Sequence, residues 1–92
     1  MNLMQYVYMV KCKDGSFYTG WTTNLESRLE AHNKGRGAKY TKGRSPVELL
    51  YLEVFDDKIS ALKREAGIKK LSRSKKELLI LGNKLRLWQI RI

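Results

Sequence analysis

Three tyrosines crowd the fifteen residues "YVYMVKCKDGSFYTG" (6–20), and an arginine and a histidine, Arg28 and His32, follow four residues apart. Much later Glu65 stands as the one acid among seven bases between Lys63 and Lys76. These types suit work on a phosphate ester. A guanidinium forks onto phosphate oxygens. A carboxylate alone in basic company can hold one Mg²⁺ or Mn²⁺, a hard ion that keeps most of its waters and takes few protein ligands. Taken singly, each residue also has a plain structural reading. Tyrosine is a good strand residue, Arg28 a solvated helix charge, His32 a last-turn residue on the helix dipole, and Glu65 an i,i+4 partner of Lys69.

The elements that must position them read as follows. Residues 5–12, "QYVYMVKC", and 16–21, "SFYTGW", are β-branched and aromatic strands joined by "KDG", a hairpin signal. "TNLESRLEAHNKG" is a helix with Thr23 as N-cap, Glu26 completing a capping box and Gly35 as the stop. Leu25 and Leu29 anchor it on the sheet, and Arg28 and His32 flank that stripe at its edge. A basic glycine-rich loop, "KGRGAKYTKGRSP", ends in the only proline, Pro46. "VELLYLEVF" (47–55) is a third strand, and Asp57 caps a helix through "KISALKREAGIKKL". Ser74 and Glu77 form a second box opening "KKELLIL", with Gly82 as its end. The last stretch, "NKLRLWQIRI", fits a strand by its alternation and a helix end or docking tail by its basic amphipathic character. Trp21 and Trp88 are assigned to packing. The order is β-β-α-β-α-α, an α+β fold in which helices cover a small sheet. A domain over 1–82 and a basic tail over 83–92 are expected.

Alternation along a strand puts Tyr6 and Tyr8 on one face. The turn decides where Tyr18 falls. A two-residue Asp-Gly turn would turn Tyr8 away from Tyr18. A three-residue loop, Lys13-Asp14-Gly15 with Gly15 left-handed, would set Tyr8 opposite Gly20 and Val10 opposite Tyr18, with both phenols on one face. Asp-Gly suits either turn.

Ninety-two residues make one domain with a small core. No uncharged apolar run is long enough to cross a bilayer. The N-terminus lacks a basic n-region and a cleavage site, so no signal peptide is read. The single cysteine, Cys12, excludes an internal disulfide and a multi-cysteine zinc site. A cytoplasmic protein without a membrane partner is expected. The net charge of +10 favours polyanions. Lys34, Arg36, Lys39, Lys42 and Arg44 lie between Glu30 and Glu48 with no acid among them.

In this order the residues resemble the GIY-YIG nuclease superfamily. "YVY" at 6–8 and "YTG" at 18–20 look like its two signature elements, Arg28 follows ten residues after Tyr18, His32 four later, and Glu65 falls in the later helix. "GRGAKYTKGRSPVELLYLE" and "REAGIKKLSRSKKE" look like the small single-domain bacterial branch. The resemblance runs from about Gln5 to Leu81. Tyr6 replaces the glycine of the first signature, and Thr19 stands where an aliphatic is usual.

The resemblance implies three antiparallel strands flanked by helices, both signature tyrosines in one site, and hence the three-residue turn. It implies metal-dependent hydrolysis of phosphodiester bonds, in DNA ahead of RNA, with Glu65 holding Mg²⁺ or Mn²⁺ and Arg28 on a phosphate oxygen. Tyr8 would be the general base or orient the attacking water. An ordinary phenol pKa near ~10 calls for a cation nearby. Tyr18 and His32 would position water or phosphate or share the base role. Lys34, Arg36, Lys39, Lys42 and Arg44 of the loop, with Lys69, Lys70 and Arg73 of the second basic run, would grip the backbone. Tyr40 would stack on a base or cover the sheet edge. Two other classes remain: a nucleic-acid-binding module with this fold that cleaves nothing, and an assembly protein docking through its tail. A protein partner that supplies substrate choice fits a domain this small.

Overall fold

The chain alternates as read: β1 Gln5–Lys11, β2 Phe17–Thr22, α1 Leu25–Asn33, β3 Glu48–Phe55, α2 Lys58–Lys69 and α3 Arg73–Ile90. The computed structural model describes residues 3–90, with the side chains of α3 described as far as Lys84. The strands form one sheet in the order β2-β1-β3, both pairings antiparallel.

The hairpin takes the three-residue loop. The Cys12 amide donates to the Ser16 carbonyl at 2.8 Å and the Gly15 amide to the Cys12 carbonyl at 2.9 Å. Gly15 sits at φ +85°, a region open to a residue without Cβ. Asp14 Oδ1 accepts from the Ser16 amide at 3.0 Å and braces the corner. The register therefore pairs Tyr8 with Gly20 and Val10 with Tyr18. One residue less in the loop would send the two phenols to opposite faces.

Alternation along β1 divides the molecule. Val7 and Met9 enter one core with Tyr51, Ala61, Ile68 and Ile80, packed round by Phe17, Trp21, Leu50, Phe55 and Leu79. α2 and α3 bring Ala61, Ile68 and Ile80 to this core. Trp21 packs as expected, and its Nε1 donates to Gln5 Oε1 at 2.8 Å. Tyr8 and Val10, pointing the other way, are fully buried outside that cluster.

Asp57 caps α2 by accepting from the Ser60 amide at 2.8 Å, and Gly35 at φ +76° ends α1, as expected. Other boundaries move. Asn24, not Thr23, caps α1: its Oδ1 accepts from the Ser27 amide at 3.1 Å while its backbone is still extended, so Glu26 is not at the capping-box position. Ser72, not Ser74, opens α3, with Oγ accepting from the Lys75 amide at 3.3 Å. In both places neighbouring residues cap about equally well, and the chain turns helical at a different one. Gly82 does not end α3, which runs on to Ile90; a glycine costs a helix only about 1 kcal/mol. Leu25 and Leu29 are half-buried, and the buried residue of α1 is His32. The packing expected of Trp88 lies outside the described side chains. No helix among the described residues is long and apolar enough to cross a membrane.

Candidate active site

Tyr8 stands on the middle strand with 1% of its surface exposed. Gly20 lies opposite it. A Cβ built on Gly20 would overlap the Tyr8 hydroxyl and stand 2.6 Å from Cζ, so glycine makes the room the phenol occupies. Tyr18 packs beside it, ring centroids 6.4 Å apart.

α1 delivers His32 from its last turn onto both rings. The imidazole is fully buried, with centroids 5.8 Å from Tyr8 and 5.3 Å from Tyr18. Its Nε2 lies 2.7 Å from the Tyr8 hydroxyl and its Nδ1 2.7 Å from Thr41 Oγ1. The Thr41 hydroxyl donates to the Ala38 carbonyl at 3.1 Å. The loop after α1 thus folds back over the histidine. It can do so because residue 37 is glycine: a Cβ there would stand 2.5 Å from the imidazole Cγ and 2.8 Å from the His32 Cα. One helical turn before His32, Arg28 donates from Nη1 to the Gly37 carbonyl at 2.8 Å.

Tyr40 stacks on Tyr18 at 5.9 Å and 24°, with the Arg44 guanidinium 4.1 Å over its ring. Arg44 also pairs with Asp14 at 3.5 Å. A base entering this stack must displace one of these neighbours. Thr41 and Gly37 had not been singled out in the sequence: no periodicity marks a loop residue that closes over a ring.

The charges explain the protonation states. Burial above all, then the neighbouring Tyr18, pushes the Tyr8 phenol above its ordinary range; Arg28 pulls it down and Glu65 pushes it further up. Burial and then Arg28 hold the His32 pKa below its ordinary value. At neutral pH a protonated phenol therefore faces a neutral imidazole. Tyr18 packs on Tyr8 and His32 shares a hydrogen bond with it, while Arg28 and Glu65 make their contacts with the Gly37 carbonyl and Lys69 and reach the phenol through charge alone.

Glu65 lies on α2 four residues after Ala61 and three before Ile68, on the face that packs against the sheet. Its side chain is only 18% exposed and pairs with Lys69 at 3.3 Å. No group of three His, Cys, Asp or Glu side chains converges among the described residues. A single, mostly sheltered carboxylate fits an ion that keeps most of its waters, as Mg²⁺ and Mn²⁺ do.

The basic residues divide. Lys34 pairs with Glu30 at 2.5 Å, and Arg73 lies 3.8 Å over the Phe17 ring and donates to the Gly15 carbonyl at 2.8 Å. Arg36, Lys39, Lys42 and Lys70 are exposed and make no salt bridge among the described residues. A surface cleft of about 350 Å³ lies elsewhere, against Phe17, Leu50 and Ile80, and none of the five candidate residues lines it.

Known proteins resemble this chain in sequence and in fold. The model of the GIY-YIG catalytic domain matches residues 4–78. A UPF0213 protein of Clostridium perfringens is 57% identical over 83 residues, which is 90% of this chain and 89% of that protein. One from Staphylococcus saprophyticus is 60% identical over 75 residues, covering 82% and 92%. The solution structure of the UPF0213 protein of Bacillus halodurans superposes with a TM-score of 0.56 at 48% identity, over 84% of this chain and 82% of that one. A protein of E. faecalis superposes with a TM-score of 0.59 at 40% identity, over 98% and 93%.

Proposed function

The chain belongs to the GIY-YIG family, and from that premise we propose that it is a metal-dependent endonuclease that hydrolyses phosphodiester bonds in DNA. The arrangement at Tyr8 carries this reading: a hydrogen bond to His32 and the ring of Tyr18 meet at one phenol that also feels the charges of Arg28 and Glu65.

Glu65 would hold the Mg²⁺ or Mn²⁺, which supplies Lewis-acid neutralisation of the phosphate. Arg28 exchanges the Gly37 carbonyl for a phosphate oxygen, a charge-assisted and therefore stronger partner. The Tyr8 oxygen takes a proton from the attacking water as its own proton passes to His32 Nε2, so the phenol never carries a full negative charge in its buried site. The hydroxide forms its bond to phosphorus as the bond to the leaving oxygen breaks; that oxygen takes a proton from solvent water, and His32 returns its extra proton to solvent to close the cycle. Tyr18 holds the water or phosphate in place. Arg36, Lys39, Lys42 and Lys70, with Lys34, Arg44, Lys69 and Arg73 once their present contacts loosen, bind the backbone without reading sequence. Loop 35–44 folds back over His32 and holds it through Thr41. The protein works in the cytoplasm, and a partner supplies its choice of substrate.

A non-catalytic nucleic-acid-binding module of the same fold is the second reading. Its support is the burial of Tyr8 and the Lys69 ammonium at the Glu65 carboxylate. The deciding experiment incubates labelled single-stranded, duplex, flapped and branched DNA, and RNA, with Mg²⁺, Mn²⁺ or EDTA, beside a Glu65→Ala protein. Metal-dependent cutting absent from the variant is expected. Salt-sensitive binding with no cutting on any substrate would leave the module reading standing instead.

A further inference from the structure

We propose that Thr41 is a positioning residue of this site: its hydroxyl holds His32 in the tautomer protonated on Nδ1, so that Nε2 faces the Tyr8 hydroxyl as an acceptor. The activity consequence rests on the nuclease reading above; the tautomer does not.

Three contacts form one line: Tyr8 Oη to His32 Nε2 at 2.7 Å, His32 Nδ1 to Thr41 Oγ1 at 2.7 Å, and Thr41 Oγ1 to the Ala38 carbonyl at 3.1 Å. Three protons are available to fill them, one each on the phenol, the neutral imidazole and the threonine. The last contact sets the direction. A carbonyl only accepts, so Thr41 donates to Ala38, its oxygen then accepts from Nδ1–H, and Nε2 is left with its lone pair toward the phenol. Every contact receives one proton.

In the reverse arrangement Thr41 would donate to Nδ1 and Nε2–H would donate to the Tyr8 oxygen. The contact to Ala38 would be unused, although that carbonyl also accepts from the Lys42 amide at 3.2 Å. The Tyr8 proton would be stranded: its hydroxyl has no other hydrogen bond among the described residues and the residue is 1% exposed. Buried polar groups are rarely left so. Among the described residues Thr19 Oγ1 is the buried side-chain polar atom without a partner.

The arrangement matters because proton transfer needs the acceptor in place beforehand. With Nδ1–H anchored, the imidazole takes the Tyr8 proton on Nε2 without turning its ring. With the opposite tautomer it would offer a second proton where a lone pair is required, and Tyr8 could not pass its proton on.

The test uses nitrogen NMR on the labelled full chain above neutral pH. The protein has one histidine, so the ring signals need no assignment by mutation. The wild type is expected to carry its proton on Nδ1, Thr41→Ser to keep it there, and Thr41→Val to lose that preference; Thr41→Ala replaces Thr41→Val if the latter does not fold. On the substrate found by the panel above, Thr41→Val is expected to lower kcat at least ~10-fold with KM unchanged, part of the roughly 10²- to 10⁴-fold a positioned acid–base group supplies, and Thr41→Ser to restore it. A wild-type proton on Nε2, or Thr41→Val with the proton still on Nδ1, overturns the proposal. So does a Thr41→Val protein that cuts at the parental rate. A tautomer shift in a protein that cuts nothing would uphold the role of Thr41 in holding His32 while removing the nuclease reading.

Discussion

The Tyr8 hydroxyl and His32 Nε2 lie 2.7 Å apart, with Tyr8 1% exposed and His32 fully buried. This one bond ties the middle strand to α1 and couples the only histidine to the phenol on which the site converges. Tyr8→Phe removes the oxygen and leaves Nε2 buried without a partner. Cutting should fall by ~10²-fold or more. Stability should fall by about 1–3 kcal/mol, each kcal/mol lowering Tm by roughly 4–8 °C in a domain this size. Single-turnover cleavage and calorimetry measure the two losses separately, and parental cutting by Tyr8→Phe would remove Tyr8 from the mechanism.

Lys69 competes for the carboxylate that is to hold the metal. Its ammonium sits 3.3 Å from Glu65. Lys69→Gln should therefore lower the Mn²⁺ concentration needed for half-maximal cutting, and Glu65→Ala should abolish cutting while leaving DNA binding intact or slightly tighter. Metal titrations at saturating DNA, with filter binding alongside, check both. A half-maximal Mn²⁺ concentration that Lys69→Gln leaves unchanged would mean the metal does not bind at Glu65.

Two glycines should resist substitution and a third should not. A methyl at Gly37 meets the His32 ring and its Cα, and one at Gly20 meets the buried Tyr8 and, at 3.0 Å, Tyr18 Cε2. Each alanine variant should lose about 1–3 kcal/mol, as overpacked sites do. Gly37→Ala should be the worse, since a backbone atom cannot swing aside. Gly67 is exposed inside α2 with nothing within 4 Å of an added Cβ. Gly67→Ala should gain up to about 1 kcal/mol. Denaturant midpoints rank the three, and a Gly37→Ala protein as stable as the parent would show that the loop does not close over the ring.

Acid should loosen the fold through His32. Burial and Arg28 keep its folded pKa below the ordinary ~6.5 that it has in the unfolded chain. Below that value the unfolded chain binds the proton more readily than the folded one. The contribution is thus complete above about pH 6.5 and is lost as the pH falls toward the folded pKa. Melting curves from pH 7.5 down to about 5 should show Tm falling, and falling less in His32→Gln, whose side chain does not titrate. Parallel curves for the two proteins would count against a buried neutral histidine.

The strands and their order along the chain were legible because alternation and spacing encode them, whereas the face shared by Tyr8 and Tyr18 was legible only through the family resemblance. The turn was not, because Asp-Gly serves both loop lengths, and the left-handed Gly15 that settles the register is a choice of backbone, not of composition. Helix starts slipped where Thr23 and Asn24, or Ser72 and Ser74, offer the same capping chemistry side by side. Gly82 read as a stop because a glycine inside a long helix and one just past its end look alike in sequence. Arg28, His32 and Glu65 could be found by spacing and by charge contrast. Thr41 and Gly37 could not, because their importance comes from a loop folding back over His32, a contact with no local period. Several bases read as grips for nucleic acid, Arg44 and Arg73 among them, are engaged with Tyr40 and Phe17; a cation's position in a basic run does not tell which ring lies beneath it.

The middle strand of the sheet is also the earliest of the three in the chain. On a translating ribosome, β2 follows β1 across a three-residue loop, so both tyrosines are in the chain before β3 has been made. Until Glu48–Phe55 emerges, the far edge of Gln5–Lys11 presents unpaired amides and carbonyls, the pattern that recruits strands from neighbouring copies. The segment made during that wait carries Lys34, Arg36, Lys39, Lys42 and Arg44 with no acid after Glu30. Like charge on this segment opposes such pairing between copies, through the same loop that closes over His32 in the folded protein.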